Sequence, residues 1–397
     1  DGEGPRENYV SDLLTRINGV GESELTESPP PKGGVGPFSS LGGGADCSCI
    51  MPCASDMREV PVFAKRFTGG NGLITLNPNR PVKANLACVD TPTYVGTAGL
   101  EASLSQYLES IGTRDRGTCF YTSPSPGTLA MFCEDRFFGS HEKYVMALAE
   151  VVRAEYEAIA ATGVVLQLDC PDLAMGRHTR HANLTDAQFA AVLRLNVDAL
   201  NTACRNIPPS QLRVHVCWGN YAGPHDHDIE SEHVWPEVAR IRAKFVLLES
   251  ANSRHAHEWA QLKSDSLRPE QVLVPGVVSS TSTTVEHPKL VCQRIMQFVR
   301  VLGPGRVIAG TDCGFATTAK SVAITEDLVP KKLAALVAGA AMATQAILDS
   351  MAPASSPVTL RPSPFRAALL LPAGASEADP SALASLKECA WEVTTHR

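Results

Sequence analysis

From residue 140 onward, long amphipathic stretches alternate with short runs of β-branched and aliphatic residues. The spacing predicts helices over 140–162, 185–206, 231–242, 255–262, 286–302 and 329–350. It predicts strands over 164–169, 212–217, 245–249, 271–278 and 306–311. These strands are almost continuously apolar, the pattern of a parallel sheet covered on both faces. Upstream, TCFYTSPSPGTLAMF predicts a strand broken at Ser123 to Gly127, and VKANLACVD (82–90) another strand. Residues 8–19 and 99–112 read as helices. Residues 20–56 are dense in Pro, Gly and Ser and read as loop.

Helices and strands in this rhythm imply an α/β fold. We expect a (β/α)8 TIM-type barrel rather than a doubly wound sheet, because no glycine-rich phosphate loop follows an early strand. About six barrel-type strands are countable where a closed barrel has eight. The chain divides into a start (1–20), a Pro/Gly-rich insertion (21–80), the main domain (81–350) and a Pro/Ala-rich extension (351–397).

Composition narrows the function. The chain has 397 residues, 44% of them hydrophobic, enough for a sizeable core. Its net charge of −7 argues against nucleic acid as a partner, since phosphate binding needs a basic surface. No membrane span is expected, and the apolar, Ala-rich stretch 333–351 reads as a buried helix. The twelve cysteines are scattered, several inside strand-like or helical runs. That suits free thiols in a reducing intracellular compartment, cytoplasmic by default and organellar if the N-terminus is processed.

Four residues at the ends of predicted strands carry the chemistry. They are His215 and Cys217 in RVHVCWGNY, Glu249 in FVLLES and Cys313 in VIAGTDCGF. A barrel gathers the carboxyl ends of its strands on one face, so residues distant in sequence can meet there. His215 and Cys217, two apart on a strand, point to the same side. Alone, that pair is weak evidence and reads first as a core histidine and a buried thiol. Glu249 strengthens it, because a buried carboxylate needs a cation or donors. Two thiolates, an imidazole and a carboxylate suit tetrahedral zinc. Their summed charge with Zn2+ is negative, which favours an electron-rich bound thiolate over hydroxide and points to alkyl transfer to sulfur.

Other polar groups carry less. His255, His257 and Glu258 in HAHEW lie near Glu249 and read either as support for the metal or as an exposed helix start. His225, His227 and Asp228 in GPHDHD read as a solvated loop. Cys47, Cys49 and Cys53 lack a nearby fourth ligand and read as plain thiols.

DGEGPRENYV, LQLDCPDLAM, RVHVCWGNY, LLESANSRHAHEW, VPGVVSSTSTTVEHP and AGTDCGF occur in this order. Together they resemble the catalytic domain of cobalamin-independent methionine synthase, above all its short bacterial branch, which is similar to epoxyalkane:coenzyme M transferase. The resemblance covers residues 1–20 and about 80–345. It implies a barrel of the uroporphyrinogen-decarboxylase type, one zinc ion, and methyl or alkyl transfer to a thiol such as homocysteine. It matches His215, Cys217, Glu249 and Cys313 to the zinc ligands. It matches Asp169, with Glu3, to carboxylates that hold the substrate amino group.

The chain departs from the family pattern at three points. The first strand and most of the second are absent, so a protein partner completing or covering the barrel is one expectation. Thr281 stands near a family histidine that relays a proton, which leaves the methyl or alkyl donor open, methyltetrahydrofolate being the family default. The long folate-binding N-terminal domain is absent. Two further readings stay open: a retired enzyme serving as a structural or accessory subunit, and a hydrolase using zinc-bound hydroxide.

Overall fold

The computed structural model describes residues 9–23, 62, 85–221, 223–315 and 324–351. Its centre is a six-stranded parallel sheet. The strands run in the order β3 (Phe120–Pro124), β5 (Val165–Cys170), β6 (Leu212–Val216), β7 (Phe245–Leu248), β8 (Val272–Val278) and β9 (Gly310–Thr311). Each strand pairs with the next in the chain, as in a (β/α) barrel, and the described strands form a half-barrel. This agrees with the barrel-type fold expected from the pattern.

The helices between the strands cover the outer face. They include α3 (Pro126–Phe132), α4 (His141–Ala161), α5 (Asp186–Ala203), α7 (Pro288–Leu302) and α8 (Val329–Met351). Local chemistry starts several of them. Thr185 and Gln188 form a reciprocal capping box on α5. Ser125 caps α3, and Pro126 opens it. On α7 the buried residues Val291, Ile295, Phe298 and Leu302 form one stripe toward the sheet. Each such side chain contributes about 1.5–3 kcal/mol when buried.

Helix α8 is long and apolar enough, by length and composition, to cross a membrane. It packs along α7, where Gly339 lies so close to Val291 that a Cβ would clash. Its buried face includes Leu333, Leu336 and Ala343, as a core helix requires, and Ala338, Met342 and Met351 are among its exposed residues.

Several elements differ from expectation. The stretch 8–19 is not one helix: α1 (Tyr9–Leu14) ends early, and β1 (Ile17–Ser23) follows across the boundary expected at residue 20. Strand β2 (Asn85–Tyr94) is not a barrel strand. It pairs antiparallel with β1 and parallel with the short β4 (Glu134–Asp135), forming a separate three-stranded sheet. Residues 231–242 hold only a single 3-10 turn and α6 (Trp235–Val238), and 255–262 only a 3-10 turn at Glu258–Ala260. The second stretch is cut short by local polar contacts described below. The helix at 97–111 is as expected. Glu3, the thiols Cys47, Cys49 and Cys53, and nearly all of the insertion and the C-terminal extension lie outside the described residues.

Candidate metal centre

Strand alternation builds the centre. On β6, Val214 and Val216 turn to the helical layer and are fully packed, so Arg213, His215 and Cys217 share the opposite face. Asp169 on β5 sits in register with His215, and His215 with Leu247 on β7. At the far edge β9 leads directly into Asp312 and Cys313.

The ligand atoms of His215, Cys217 and Cys313 lie within 4.8 Å of one another, and all three residues are buried. The two Sγ atoms are 3.4 Å apart, and both thiols are free. A tetrahedral zinc with Zn–S of about 2.3 Å would hold two sulfurs about 3.8 Å apart. A small outward shift of the sulfurs therefore admits an ion, and the donor set fits zinc.

Electrostatics supports that fit. The contact with Cys313 favours the Cys217 thiolate, but burial and the nearby Glu249 and Asp169 carboxylates push the Cys217 thiol up to about 12. Burial and the adjacent Cys217 sulfur also drive the Cys313 thiol well above the usual thiol range. Two buried thiols without a cation thus stay protonated. A dication would reverse that preference and release both protons.

His215 is oriented from both sides. Its Nδ1 lies 2.5 Å from Asp169 Oδ1 and its Nε2 lies 2.9 Å from the Asp312 carbonyl oxygen. Burial alone disfavours the imidazolium, yet the Asp169 carboxylate beside it raises the His215 pKa. Asp169 thus acts on the imidazole directly. A carboxylate holding Nδ1–H fixes the ring, and Nε2 would serve as the ligand atom once it gives up its proton and the Asp312 carbonyl.

Glu249 ends β7 as expected, but it stands outside the three-residue cluster. One carboxylate oxygen accepts the Trp218 N–H at 2.8 Å, and the other accepts the Asn252 side-chain amide at 2.7 Å. Next to it, Asp312 Oδ1 accepts the N–H groups of Ser250 and Ala251, each at 2.8 Å. Burial and the neighbouring Glu249 raise the Asp312 pKa. Its Oδ2 is a buried oxygen without a partner among the described residues. Gly276 makes this approach of β8 and β9 feasible, since a Cβ there would lie 2.3 Å from Asp312 Oδ1 and 2.5 Å from its Cα.

The polar loops around the centre are not solvated, contrary to the reading of GPHDHD as loop surface. His225, Asp228, His255 and Glu258 are buried. Asp228 lies 3.0 Å from His178 Nδ1 and 2.8 Å from both His225 Nδ1 and His255 Nε2. His255 Nδ1 reaches Glu258 at 3.0 Å, and Glu258 accepts the Ser231 N–H. His225 adopts φ +57, a left-handed conformation uncommon for a non-glycine residue. Its Nε2 lies 2.9 Å from the Tyr221 carbonyl oxygen. His178 had no sequence signal at all. His227 and His257 of the same motifs do not join the buried set: both are exposed. Thr281 is half-buried, its N–H directed to the Ser279 hydroxyl.

Comparison with known proteins agrees with the fold and the motifs. The chain is 28% identical over 199 residues to the methionine synthase of Pyrococcus furiosus, a match spanning 50% of this chain and 51% of that protein. The chain thus spans about half the length of the curated relative it matches. In fold it resembles a B12-independent methionine synthase from Shewanella sp. W3-18-1, solved in complex with selenomethionine. The TM-score is 0.58 at 16% identity, covering 86% of this chain and 80% of that one. Residues 124–335, more than half of the chain, match the catalytic domain of the cobalamin-independent synthases, and the chain belongs to that family.

Proposed function

We propose that this chain is a zinc-dependent enzyme that transfers a methyl or alkyl group to a substrate thiol, homocysteine being the first candidate. The convergence of His215, Cys217 and Cys313 at the strand ends carries the reading. These three residues would hold the ion, with Glu249 as the fourth ligand through an oxygen lone pair that its present donors leave free. When bound, zinc would lower the pKa of a substrate thiol and present it as a thiolate. The remaining work falls to the chain. Asp169 fixes the His215 ring and, as the family resemblance suggests, also receives the substrate ammonium. The two cysteines and Glu249 keep the centre anionic, so that a bound sulfur stays nucleophilic.

The donor is a separate question. Methyltetrahydrofolate is the family default, while Thr281 in place of a proton-relaying histidine favours a donor that needs no such relay. Glu3, which the resemblance assigns to the substrate ammonium alongside Asp169, remains part of this proposal.

The test is metal content of the purified full chain, with and without Cys217→Ser and Cys313→Ser. About one zinc per chain, lost in both variants, supports the reading. Thiols and methyl donors would then be screened for turnover. A well-folded wild-type protein that takes up no zinc overturns it, and leaves the accessory-subunit account standing.

A further inference from the structure

The Glu249 carboxylate has one donor on each oxygen, and both donors trace back to one buried network. The first is the backbone N–H of Trp218. The Trp218 ring lies on His255 with centroids 4.4 Å apart, and its Nε1–H donates to the Ile229 carbonyl, next to Asp228. The second is the Asn252 amide. The Asn252 side-chain oxygen Oδ1 accepts the N–H groups of Arg254 and His255, each at 3.0 Å. So the amide that faces Glu249 cannot rotate without losing two turn contacts. His255, 2% exposed, is in turn fixed between Asp228 and Glu258.

A buried group with two carboxylates and three imidazoles is costly unless its members satisfy one another. Here they do so while meeting Glu249 through two arms. We infer that Asn252 is a positioning residue for Glu249, anchored by the His255–Asp228–Glu258 network, and that its amide sets the orientation in which the carboxylate meets the metal. This rests on the zinc reading above and extends it to a residue outside the ligand set. Asn252 touches neither the substrate nor the ion. It acts through Glu249, as a group bonded to a ligating carboxylate does.

The experiment is a Co2+ titration of the full chain, with Co2+ alone as probe. The absorption of the cobalt–thiolate and d–d bands is followed, and affinity is obtained by competition with a chelator. Asn252→Ala removes both the donor and the turn acceptor. Asn252→Ser keeps a hydroxyl that can accept from the turn but is too short to reach Glu249. Glu249→Gln gives the reference for an altered carboxylate. Both Asn252 variants should bind Co2+ about 10–100-fold more weakly, with d–d bands displaced toward those of Glu249→Gln. Their thermal midpoints should stay near wild type. Wild-type affinity and bands in Asn252→Ser would overturn the inference, because the turn alone would then account for any effect of alanine. A wild-type chain that binds no Co2+ would instead overturn the metal centre itself, and this inference with it.

Discussion

Removing the Asp169 carboxylate should weaken the metal centre by an amount the structure sets. Asp169 Oδ1 meets His215 Nδ1 at 2.5 Å, with the side chains 15% and 9% exposed. A charge-assisted bond of that kind contributes about 1.5–3 kcal/mol net. Converted at about 1.4 kcal/mol per tenfold, this is roughly a 10–150-fold loss of zinc affinity. Asp169→Ala should show the full loss. Asp169→Asn keeps an oxygen in place and should lose about tenfold, since a neutral acceptor is about half as strong. The assay is zinc competition with a chromophoric chelator at fixed pH, with thermal unfolding as the check on folding. If Asp169→Ala binds zinc like wild type, the bond to His215 does not hold the ligand. A raised KM for the thiol without that loss would leave Asp169 with the substrate alone.

The other predictions concern stability and pH. Lys332, fully buried, meets Glu286 Oε2 at 2.9 Å, while the other Glu286 oxygen accepts the Ser279 N–H at the end of β8. Lys332→Met strands that carboxylate and should cost about 3–5 kcal/mol, of order 10 °C in the melting midpoint; Lys332→Met with Glu286→Gln should recover most of it, and no recovery would refute the pairing. His255 is lowered by burial, but its bonds to Asp228 and Glu258 prevail and raise it to about 10. Its pKa being higher folded than unfolded, its contribution is complete below about 6.5 and fades as pH rises toward 10. The melting midpoint should therefore fall between pH 7 and 10.5, and His255→Gln should flatten the curve; equal slopes would refute it. Gly276→Ala should drive the Asp312 backbone away from β8. Its expected result is a lower melting midpoint together with reduced zinc uptake, and an unchanged zinc content would show that Cys313 does not depend on that approach.

Much of the fold was legible because the helices with a continuous apolar stripe, α4, α5, α7 and α8, declare their period over many turns. The misread stretches lack that length. HAHEW looks helical, yet its polar side chains are committed to Asp228, Glu258 and the turn at Asn252, so the backbone makes only a 3-10 turn. VKANLACVD carries a strand pattern, but no local rule says which sheet a strand joins. Its partner, Ile17–Ser23, includes Gly19 at φ +83 beside a register shift, and it straddles a stretch read as helix to residue 19 and as loop from residue 20.

The candidate site divides along the same physical line. His215, Cys217 and Cys313 could be found because each follows or ends an apolar strand, and parallel register brings strand ends together without further information, whereas Asp169 came from the family resemblance. What orients them could not. The Asp169–His215 bond, the two donors on Glu249 and the Asp228 network join residues whose spacing in the chain carries no period. Isolated histidines in a Pro- and Asp-rich loop look solvated, and only packing reveals that Trp218 covers His255 and that His178 reaches Asp228. The consequence is functional. On the proposed reading, the ligand set alone would describe any thiolate zinc site, whereas the side chains behind it would decide how firmly Glu249 is held when a substrate sulfur competes for the metal. Catalytic difference between members of one ligand class should therefore be sought at positions such as Asn252 and His255, which a motif of ligands does not contain.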